Sequence, residues 1–261
     1  MRRYKILTVV FLISVAALLA GCNKQPVITE ERELLIYCGS AMAQPMEEIA
    51  AIIEKQENCK VTIKIGGSGN LLATIQADQV GDLYLPGDDS YIVTCLEQDL
   101  VIETTLVGYN KLALMVQEGN PLGITADPAS LTNEDYVLVL GDPDKMSAGR
   151  EAQKILANMG ILDQAMGHVH SLAANATELT DALKNGEADL TINWYATSTL
   201  PENAPYVDAL PISEEYAARN KLVLGLLSTS EHPELARKFM AYATSDAGQR
   251  IFDKYGLYDV E

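Results

Sequence analysis

The sequence predicts an α/β protein made of two lobes, each a mainly parallel sheet flanked by helices. Strand-like runs alternate with helical segments along most of the chain, as in parallel sheets with helical crossovers. Short turns rich in glycine and serine follow several strands. Two longer strand-like runs, 107–116 and 221–227, bracket a middle segment with βαβ signals of its own. This arrangement indicates two lobes joined by crossing strands.

Residues 1–21 have the features of a lipoprotein signal peptide. A positive start is followed by an apolar run over 6–20 that is short for a membrane span. The run ends in Leu-Ala-Gly-Cys, a lipoprotein cleavage box, so we expect Cys22 to carry the lipid. An uncleaved anchor and a plain secretory signal are the alternatives. Lipid chains attach a protein to a membrane surface without spanning it, and 22–33 forms a polar linker.

The rest of the chain is acidic and has few cysteines. The formal net charge of −17 becomes −20 when Arg2, Arg3 and Lys5 leave with the signal, which argues against nucleic acid or an anionic lipid surface as a partner. Any bound anion must therefore be held by local dipoles. The remaining cysteines match no metal-site spacing, and their odd number leaves at least one thiol free; they are Cys38, Cys59 and Cys95.

Three strand–helix units open the folded part. Each strand is short and apolar or β-branched, and the helices repeat apolar residues at intervals of three and four. The predicted elements are strand 34–38, helix 45–57, strand 60–65, helix 70–79, strand 82–85 and helix 91–98. The later units are strand 136–140, helix 149–158, helix 177–185, strand 189–193 and the tail helices 232–243 and 246–254.

The turn 66–70 is a candidate anion site. It joins a strand to a helix, where unpaired N–H groups and the positive end of a helix dipole converge. Glycines allow a close approach, and Ser68 adds a hydroxyl donor. An ordinary βα turn with Ser68 as helix cap is the alternative. A similar turn at Gly39-Ser40 follows the first strand, and the pair favours an anion site because the carboxyl ends of parallel strands meet at one edge.

Common enzyme motifs do not fit. A serine elbow needs Gly where Asn70 stands, and no phosphate loop is present. His168 and His170 have no accompanying zinc motif, so a structural or surface role is preferred. Asp88 and Asp89 could form a paired carboxylate site, but a solvated turn is the preferred interpretation. The sequence therefore does not support catalysis.

Four N–H-rich turns remain, two in each predicted lobe: 39–40, 67–69, 147–149 and 175–176. None of them contains Lys or Arg, although Arg150 follows one directly. Fixed neutral dipoles in a dry cleft can hold a full negative charge. Because such groups only donate, they favour anions that carry no proton of their own.

These pieces, in this order and spacing, resemble the periplasmic molybdate-binding proteins of ABC importers over nearly the whole mature length. The carrying motifs are Gly39-Ser40-Ala41-Met42, Gly66-Gly67-Ser68-Gly69-Asn70-Leu71, Gly81-Asp82-Leu83-Tyr84, Gly141-Asp142-Pro143, Ser147-Ala148-Gly149-Arg150, Asn175-Ala176, Asn185-Gly186-Glu187-Ala188-Asp189 and His232-Pro233-Glu234-Leu235-Ala236. The resemblance implies a type II-like periplasmic-binding-protein fold, with lobe one at 34–111 plus 222–261 and lobe two at 112–221.

The resemblance also implies the ligand set. Two serines of that family bind the oxyanion through hydroxyl and N–H, and they match Ser40 and Ser68. Two backbone N–H groups from the second lobe match Ala148 and Ala176.

The family's fifth ligand is a tyrosine hydroxyl, and this chain differs from the family at that position. Counting without a gap places Trp194 there, with Tyr195 next. Either Trp194 offers its indole N–H, or a shift brings in Tyr195, or the contact is lost. Tungstate-binding relatives use carboxylates where this chain has Ser147 and Asn193, so six-coordinate binding of that type is not expected.

The prediction is therefore an exported, lipid-anchored, monomeric binding protein without a cofactor. It would capture molybdate or tungstate between its lobes and deliver the anion to an ABC permease with its ATPase. The alternatives are a protein for another anion or a metal, such as sulfate, a phosphonate or iron, and a surface lipoprotein that serves as adhesin or sensor. An enzyme is the third possibility, and no general base stands near Ser68 to support it.

Overall fold

The computed structural model describes residues 32–257. The predicted signal peptide, the lipidation site Cys22 and the linker up to residue 31 lie outside the described residues. The described part contains two five-stranded sheets flanked by helices, which confirms the predicted fold class. None of the described helices has the length and apolar character to cross a membrane.

The strands are β1 (Glu33–Gly39), β2 (Lys60–Gly66), β3 (Leu83–Leu85), β4 (Val101–Asn110), β5 (Leu112–Gln117), β6 (Leu138–Gly141), β7 (Val169–Ala173), β8 (Leu190–Trp194), β9 (Val207–Pro211) and β10 (Asn220–Leu227). The α-helices are α1 (Ala43–Glu57), α2 (Ser68–Asp78), α3 (Ser90–Glu97), α4 (Ser147–Asn158), α5 (Leu162–Met166), α6 (Ala176–Lys184), α7 (Ala196–Thr199), α8 (Pro233–Ala243) and α9 (Asp246–Lys254). Short 3₁₀ turns cover Ser40–Met42 and Pro128–Thr132.

The two sheets share one topology. The first has the order β2-β1-β3-β10-β4, and the second has the order β7-β6-β8-β5-β9. In each sheet three neighbouring strands pair in parallel, the fourth is antiparallel to them, and the fifth is antiparallel to the fourth. Four strands of each sheet thus run in one direction. We call each sheet with its flanking helices a lobe.

The chain crosses between the lobes twice. β4 ends at Asn110 in the first sheet and β5 begins at Leu112 in the second, so the run predicted over 107–116 breaks at Lys111. The chain returns to the first sheet at β10, where Asn220 pairs with Asn110. The lobe limits predicted above, 34–111 plus 222–261 and 112–221, remain a prediction at their exact ends.

The central strands bury side chains on both faces: Ile36 and Tyr37 of β1, which point to opposite faces, are both fully buried. Leu34, Ile36 and Leu226 of the first sheet and Leu114 and Ile192 of the second are fully buried. The tail helices α8 and α9 pack against α1, with α9 also on β4. This packing leaves the carboxyl ends of the parallel strands free to carry turns, and those of both sheets meet at one cleft.

Candidate functional site

A small cavity of about 200 Å³ lies between the turns that follow the parallel strands of the two lobes. Its wall consists of Gly39, Ser40, Ala41, Met42, Gly66, Gly67, Ser68, Gly87, Met146, Ser147, Ala176 and Trp194. No wall residue within the described range 32–257 carries a formal charge. The wall is therefore made of hydroxyls, N–H groups, glycines and two methionines.

The first lobe contributes three turns, which follow β1, β2 and β3. Ser40 starts the 3₁₀ turn after β1, and Ser68 is the first residue of α2. Gly67 precedes it in an extended conformation, which ends the strand and starts the helix. The hydroxyl oxygen of Ser68 accepts the N–H of Gly87 from the third turn at 3.0 Å. Ser68 is 2% exposed, so this bond is shielded from water.

Tyr84 anchors the Ser68 turn from behind. Its hydroxyl donates to the carbonyl oxygen of Ser68 at 2.7 Å, and its side chain is fully buried. Burial raises the pKa of Tyr84 well above its usual value, so the phenol stays a neutral donor. The turn is thus fixed on both sides, by Tyr84 at its carbonyl and by Gly87 at its hydroxyl.

The second lobe contributes two helix starts and the end of β8. Ser147 is the first residue of α4, and Ala176 is the first residue of α6. The side chain of Asn175 caps α6 by accepting the N–H of Glu178 at 3.0 Å. Trp194, the last residue of β8, directs its indole Nε1 at the hydroxyl oxygen of Ser147, with a distance of 3.0 Å.

Asn193 joins these parts of the second lobe. Its side-chain nitrogen donates to the carbonyl oxygen of Ala176 at 2.9 Å, and its side-chain oxygen accepts the N–H of Trp194 at 2.8 Å. The residue is fully buried. One amide side chain therefore sets the position of both the start of α6 and the strand end that carries the indole.

The lobes touch each other across the cavity. The N–H of Ala176 donates to the hydroxyl oxygen of Ser40 at 3.1 Å, and the N–H of Gly69 donates to the carbonyl oxygen of Lys145 at 2.8 Å. A Cβ atom added to Gly67 would lie 2.2 Å from the carbonyl oxygen of Ala174. The structure is therefore a closed form in which only glycine fits at this contact.

Each cavity serine accepts one N–H group. Ser40 accepts from Ala176, Ser68 from Gly87, and Ser147 from Trp194. A hydroxyl has one proton to donate and two lone pairs. In the hydrogen-bond pattern of the described residues, the proton of each of these hydroxyls has no acceptor. Three serine hydroxyls are thus available as donors to a guest.

The predicted site residues fall into two groups. Ser40, Ser68, Ala176 and Trp194 line the cavity. Ala148 and Tyr195 are not part of the wall. Ala148 is fully buried and is the second residue of α4, in the first turn, where N–H groups have no partner inside the helix.

Tyr195 lies apart from the other predicted ligands. Its N–H donates to the carbonyl oxygen of Lys111 at 2.8 Å, and the Lys111 ammonium sits 4.4 Å from the centre of its ring. Tyr195 therefore faces the crossover between the lobes.

The predicted ligand set leaves out several residues of the wall, among them Gly87 and Ser147, although Ser147 belongs to the predicted N–H-rich turn 147–149. Gly87 follows the third strand just as Ser40 and Ser68 follow the first two, and this position in a βα turn is the signal that could have indicated it. The preferred interpretation of Asp88 as solvated is wrong, because the residue is 1% exposed. Its carboxylate accepts the N–H of Ser90 at 2.9 Å, which closes the turn on itself and starts α3.

A second contact between the lobes lies at the rim of the cleft. The guanidinium of Arg150, on α4, stands 3.9 Å from the ring centre of Tyr91, on α3. Its Nη1 also donates to the hydroxyl of Ser90 at 3.1 Å. Arg150 is absent from the cavity wall, so its charge serves the contact between lobes.

Residues 32–257 hold no cluster of three His, Cys, Asp or Glu side chains that could bind a metal ion. His168 instead points its Nδ1 at the carbonyl oxygen of Gln164, 3.1 Å away.

Curated relatives match the chain over most of its length. A Haemophilus influenzae protein whose name gives a binding role and no ligand is 26% identical, over 86% of this chain and 90% of that protein. The lipoprotein YvgL of Bacillus subtilis, named as a substrate-binding component of an ABC transporter, is 23% identical over 92% and 93%. The molybdate-binding protein ModA of Haemophilus influenzae is also 23% identical, over 94% and 96%.

Solved structures support the fold. The periplasmic molybdate-binding protein of Azotobacter vinelandii superposes with a TM-score of 0.72 at 16% identity, covering 87% of this chain and 100% of that one. A periplasmic thiamin-binding protein gives a TM-score of 0.75 at 16% identity, covering 89% and 86%. Proteins with different ligands thus share this architecture, and the likeness concerns the two-lobed fold alone.

The family model described as bacterial extracellular solute-binding protein matches residues 34–258. That match spans both sheets and every residue of the cavity wall. The chain therefore belongs to the bacterial extracellular solute-binding protein family.

Proposed function

We propose that this protein is the lipid-anchored binding component of an ABC importer, and that it captures molybdate or tungstate in the cavity between its lobes. One observation carries the proposal. Three buried serine hydroxyls, each already accepting an N–H group, converge on a cavity whose wall has no charged side chain. Such a wall offers many donors and suits an anion with several oxygens.

The chemistry fits a tetrahedral dianion. Each of its oxygens accepts more than one hydrogen bond, and fixed N–H and O–H dipoles shielded from water hold full charges well. The cavity is narrow, since the N–H of Ala176 in one lobe lies only 3.1 Å from the hydroxyl oxygen of Ser40 in the other. A guest of a few heavy atoms is therefore favoured over one of the size of thiamin.

The excess of donors over acceptors in the wall also supports selection by protonation. The hydroxyl oxygens of Ser40, Ser68 and Ser147 already accept N–H groups. Phosphate near pH 7 carries a proton that needs an acceptor, and a donor facing that proton is unfavourable. We therefore expect anions without a proton to bind in preference to phosphate.

Transport is the role that the relatives favour. YvgL is named as an ABC transporter lipoprotein and ModA as a molybdate-binding protein. By analogy, Cys22 would carry the lipid, and the partners would be a membrane permease and its ATPase. The formal charge of −17 does not attract anions from a distance, so retention in this proposal comes from the cavity alone.

Calorimetry on the chain from residue 23 onward, with molybdate, tungstate, sulfate and phosphate, tests the ligand. We expect one site that binds molybdate and tungstate and gives no heat with phosphate. Preference for sulfate would replace the ligand in this proposal, and the same titration with a phosphonate and with iron tests the remaining alternatives. No binding by any of them would favour a surface lipoprotein outside transport.

Ser68→Ala tests the site. Losing one hydrogen bond to a charged ligand costs about 1.5–3 kcal/mol, so molybdate affinity should fall about 10- to 150-fold. Ser171→Ala, which removes an exposed hydroxyl from β7, is the matched control and should bind as the parent does. Unchanged affinity in Ser68→Ala would contradict the assignment of the cavity.

A further inference from the structure

Ser147 is placed like the two serines of the first lobe, although it comes from the other side of the cleft. It lines the cavity, is 3% exposed, and accepts an N–H group through its hydroxyl oxygen. A Cβ atom added to Gly87 would lie 2.1 Å from that oxygen. The Ser147 hydroxyl therefore contacts the turn at Gly87, whose N–H donates to the hydroxyl of Ser68.

The partner of Ser147 decides which way its proton can point. Trp194 has a single polar group, an N–H that can only donate. The hydroxyl oxygen of Ser147 must be the acceptor in their 3.0 Å bond, so its own proton is directed elsewhere.

The indole itself is held firmly. Trp194 is 2% exposed, its backbone pairs with Leu112 of β5, and its backbone N–H donates to the side-chain oxygen of Asn193 at 2.8 Å. The side chain of Trp194 is therefore a fixed donor for Ser147.

We propose that Ser147 donates its hydroxyl to the bound oxyanion as a third serine ligand, and that Trp194 is a positioning residue that aims this hydroxyl. The inference rests on the proposed function, since it names further contacts to the same anion. It also gives a role to Trp194, which stands where the resembled family has a tyrosine: the indole N–H acts through Ser147 instead of touching the anion.

The test is a double-mutant cycle with molybdate as the probe, read by calorimetry. Ser147→Ala removes the donor and should weaken binding about 10-fold or more, as expected for one hydrogen bond to a charged group. Trp194→Phe keeps an aromatic ring without the N–H and should weaken binding several-fold. The double variant should bind no worse than Ser147→Ala alone, because the indole then has nothing to aim.

Two results would overturn the inference. Additive losses in the double variant would mean that Trp194 acts independently of Ser147, and parental affinity in Ser147→Ala would remove Ser147 from the ligand set. Thermal unfolding of each variant separates a folding defect from a binding defect. Trp194 is the only tryptophan of the chain, so its fluorescence reports occupancy in the parent and in Ser147→Ala.

Failure of the proposed function gives a different pattern. In that case the parent itself binds neither molybdate nor tungstate, and its tryptophan emission does not respond to either anion. If the parent binds and Ser68→Ala weakens binding while Ser147→Ala does not, only the further inference fails.

Discussion

The two lobes build their halves of the cavity by different means. The first lobe uses glycine-rich turns, in which Gly67 and Gly87 bring the backbone close and the serines supply hydroxyls. The second lobe uses helix starts held by side chains, with Asn193 tying Ala176 to Trp194. The first half depends on the absence of side chains and the second on a buried network. Substitutions should therefore fail for different reasons on the two sides.

Gly67→Ala should break the first half with the largest effect. The added methyl would meet the backbone carbonyls of Ala174 and Lys145 at 2.2 and 2.5 Å, and a backbone cannot move aside as a flexible side chain can. We expect closure to be blocked and molybdate affinity to fall more than about 100-fold, which is about 2.7 kcal/mol. Calorimetry measures the loss, and X-ray scattering should show an open form.

Gly66→Ala is the matched control for that variant. A methyl there would lie 3.3 Å from Leu71 Cδ2, a side-chain atom of the same lobe. Because Gly66 also lines the cavity, the variant controls for closure and not for affinity, and X-ray scattering should show the closed form of the parent. Equal behaviour of the two alanine variants would show that the glycines at this turn do not govern closure.

Asn193→Ala should disrupt the side of the cavity that the second lobe builds. We expect a smaller loss of affinity than for Gly67→Ala, together with a measurable loss of stability. The substitution leaves the buried backbone N–H of Trp194 without its partner, and a buried unsatisfied group costs about 1–3 kcal/mol. The Ala176 carbonyl oxygen loses its bond to Asn193 but still accepts the Thr180 hydroxyl at 3.3 Å. We expect a lower unfolding temperature and about 10-fold weaker binding, measured by calorimetry. Asn185→Ala is the control: Asn185 is exposed and lies just after the end of α6, far from Ala176, so this variant should change neither the unfolding temperature nor the affinity. Normal affinity in Asn193→Ala would mean that this tie does not position the site.

Alkaline pH should lower the stability of the first lobe, and this is the smallest of the expected effects. The thiol and phenol groups whose pKa values are strongly raised all lie in that lobe. Burial raises the pKa of Cys95 to about 11 and that of Tyr91 to about 12. An unfolded thiol loses its proton near pH 8.5, while folded Cys95 keeps it up to about pH 11. In that window the unfolded chain binds fewer protons, so the free energy of unfolding falls as pH rises.

Urea titrations at pH 7 and at several values above pH 8.5 measure this slope. Cys95→Ala should reduce the slope without changing its sign, since Tyr91 and the fully buried thiol of Cys38, whose pKa burial also raises, still contribute. An equal slope in the variant and the parent would exclude Cys95 as a source of alkaline instability.

The sequence could predict the sheets because most of their strands are apolar and continuous. It missed β7 and β9, which are edge strands. In β7 three of five side chains are exposed, and β9 has a mixed pattern, so neither gives a clear apolar run. The break at Lys111 was also invisible, because a chain that leaves one sheet for another keeps its strand-like composition on both sides of the crossing.

The site divides in the same way. Turns that follow strands were readable, since glycine and serine at a strand end have a local meaning. The contact of Trp194 with Ser147 joins residues 47 positions apart, and that of Gly87 with Ser68 joins residues 19 apart. Such pairs depend on which turns the folded sheets bring together. The burial of Asp88 has the same origin, because Asp-Asp beside Pro-Gly is typical of an exposed turn.

The contact of Arg150 with Tyr91 and Ser90 has a consequence for release of the guest. It joins the lobes without lining the cavity, so it stabilises the closed form whether or not an anion is inside. A larger closed fraction raises the apparent affinity in proportion. It also lengthens the time that a captured substrate stays bound, because the lobes must separate before the substrate can leave. The residence time of the guest is thus set partly by a cation that never touches it.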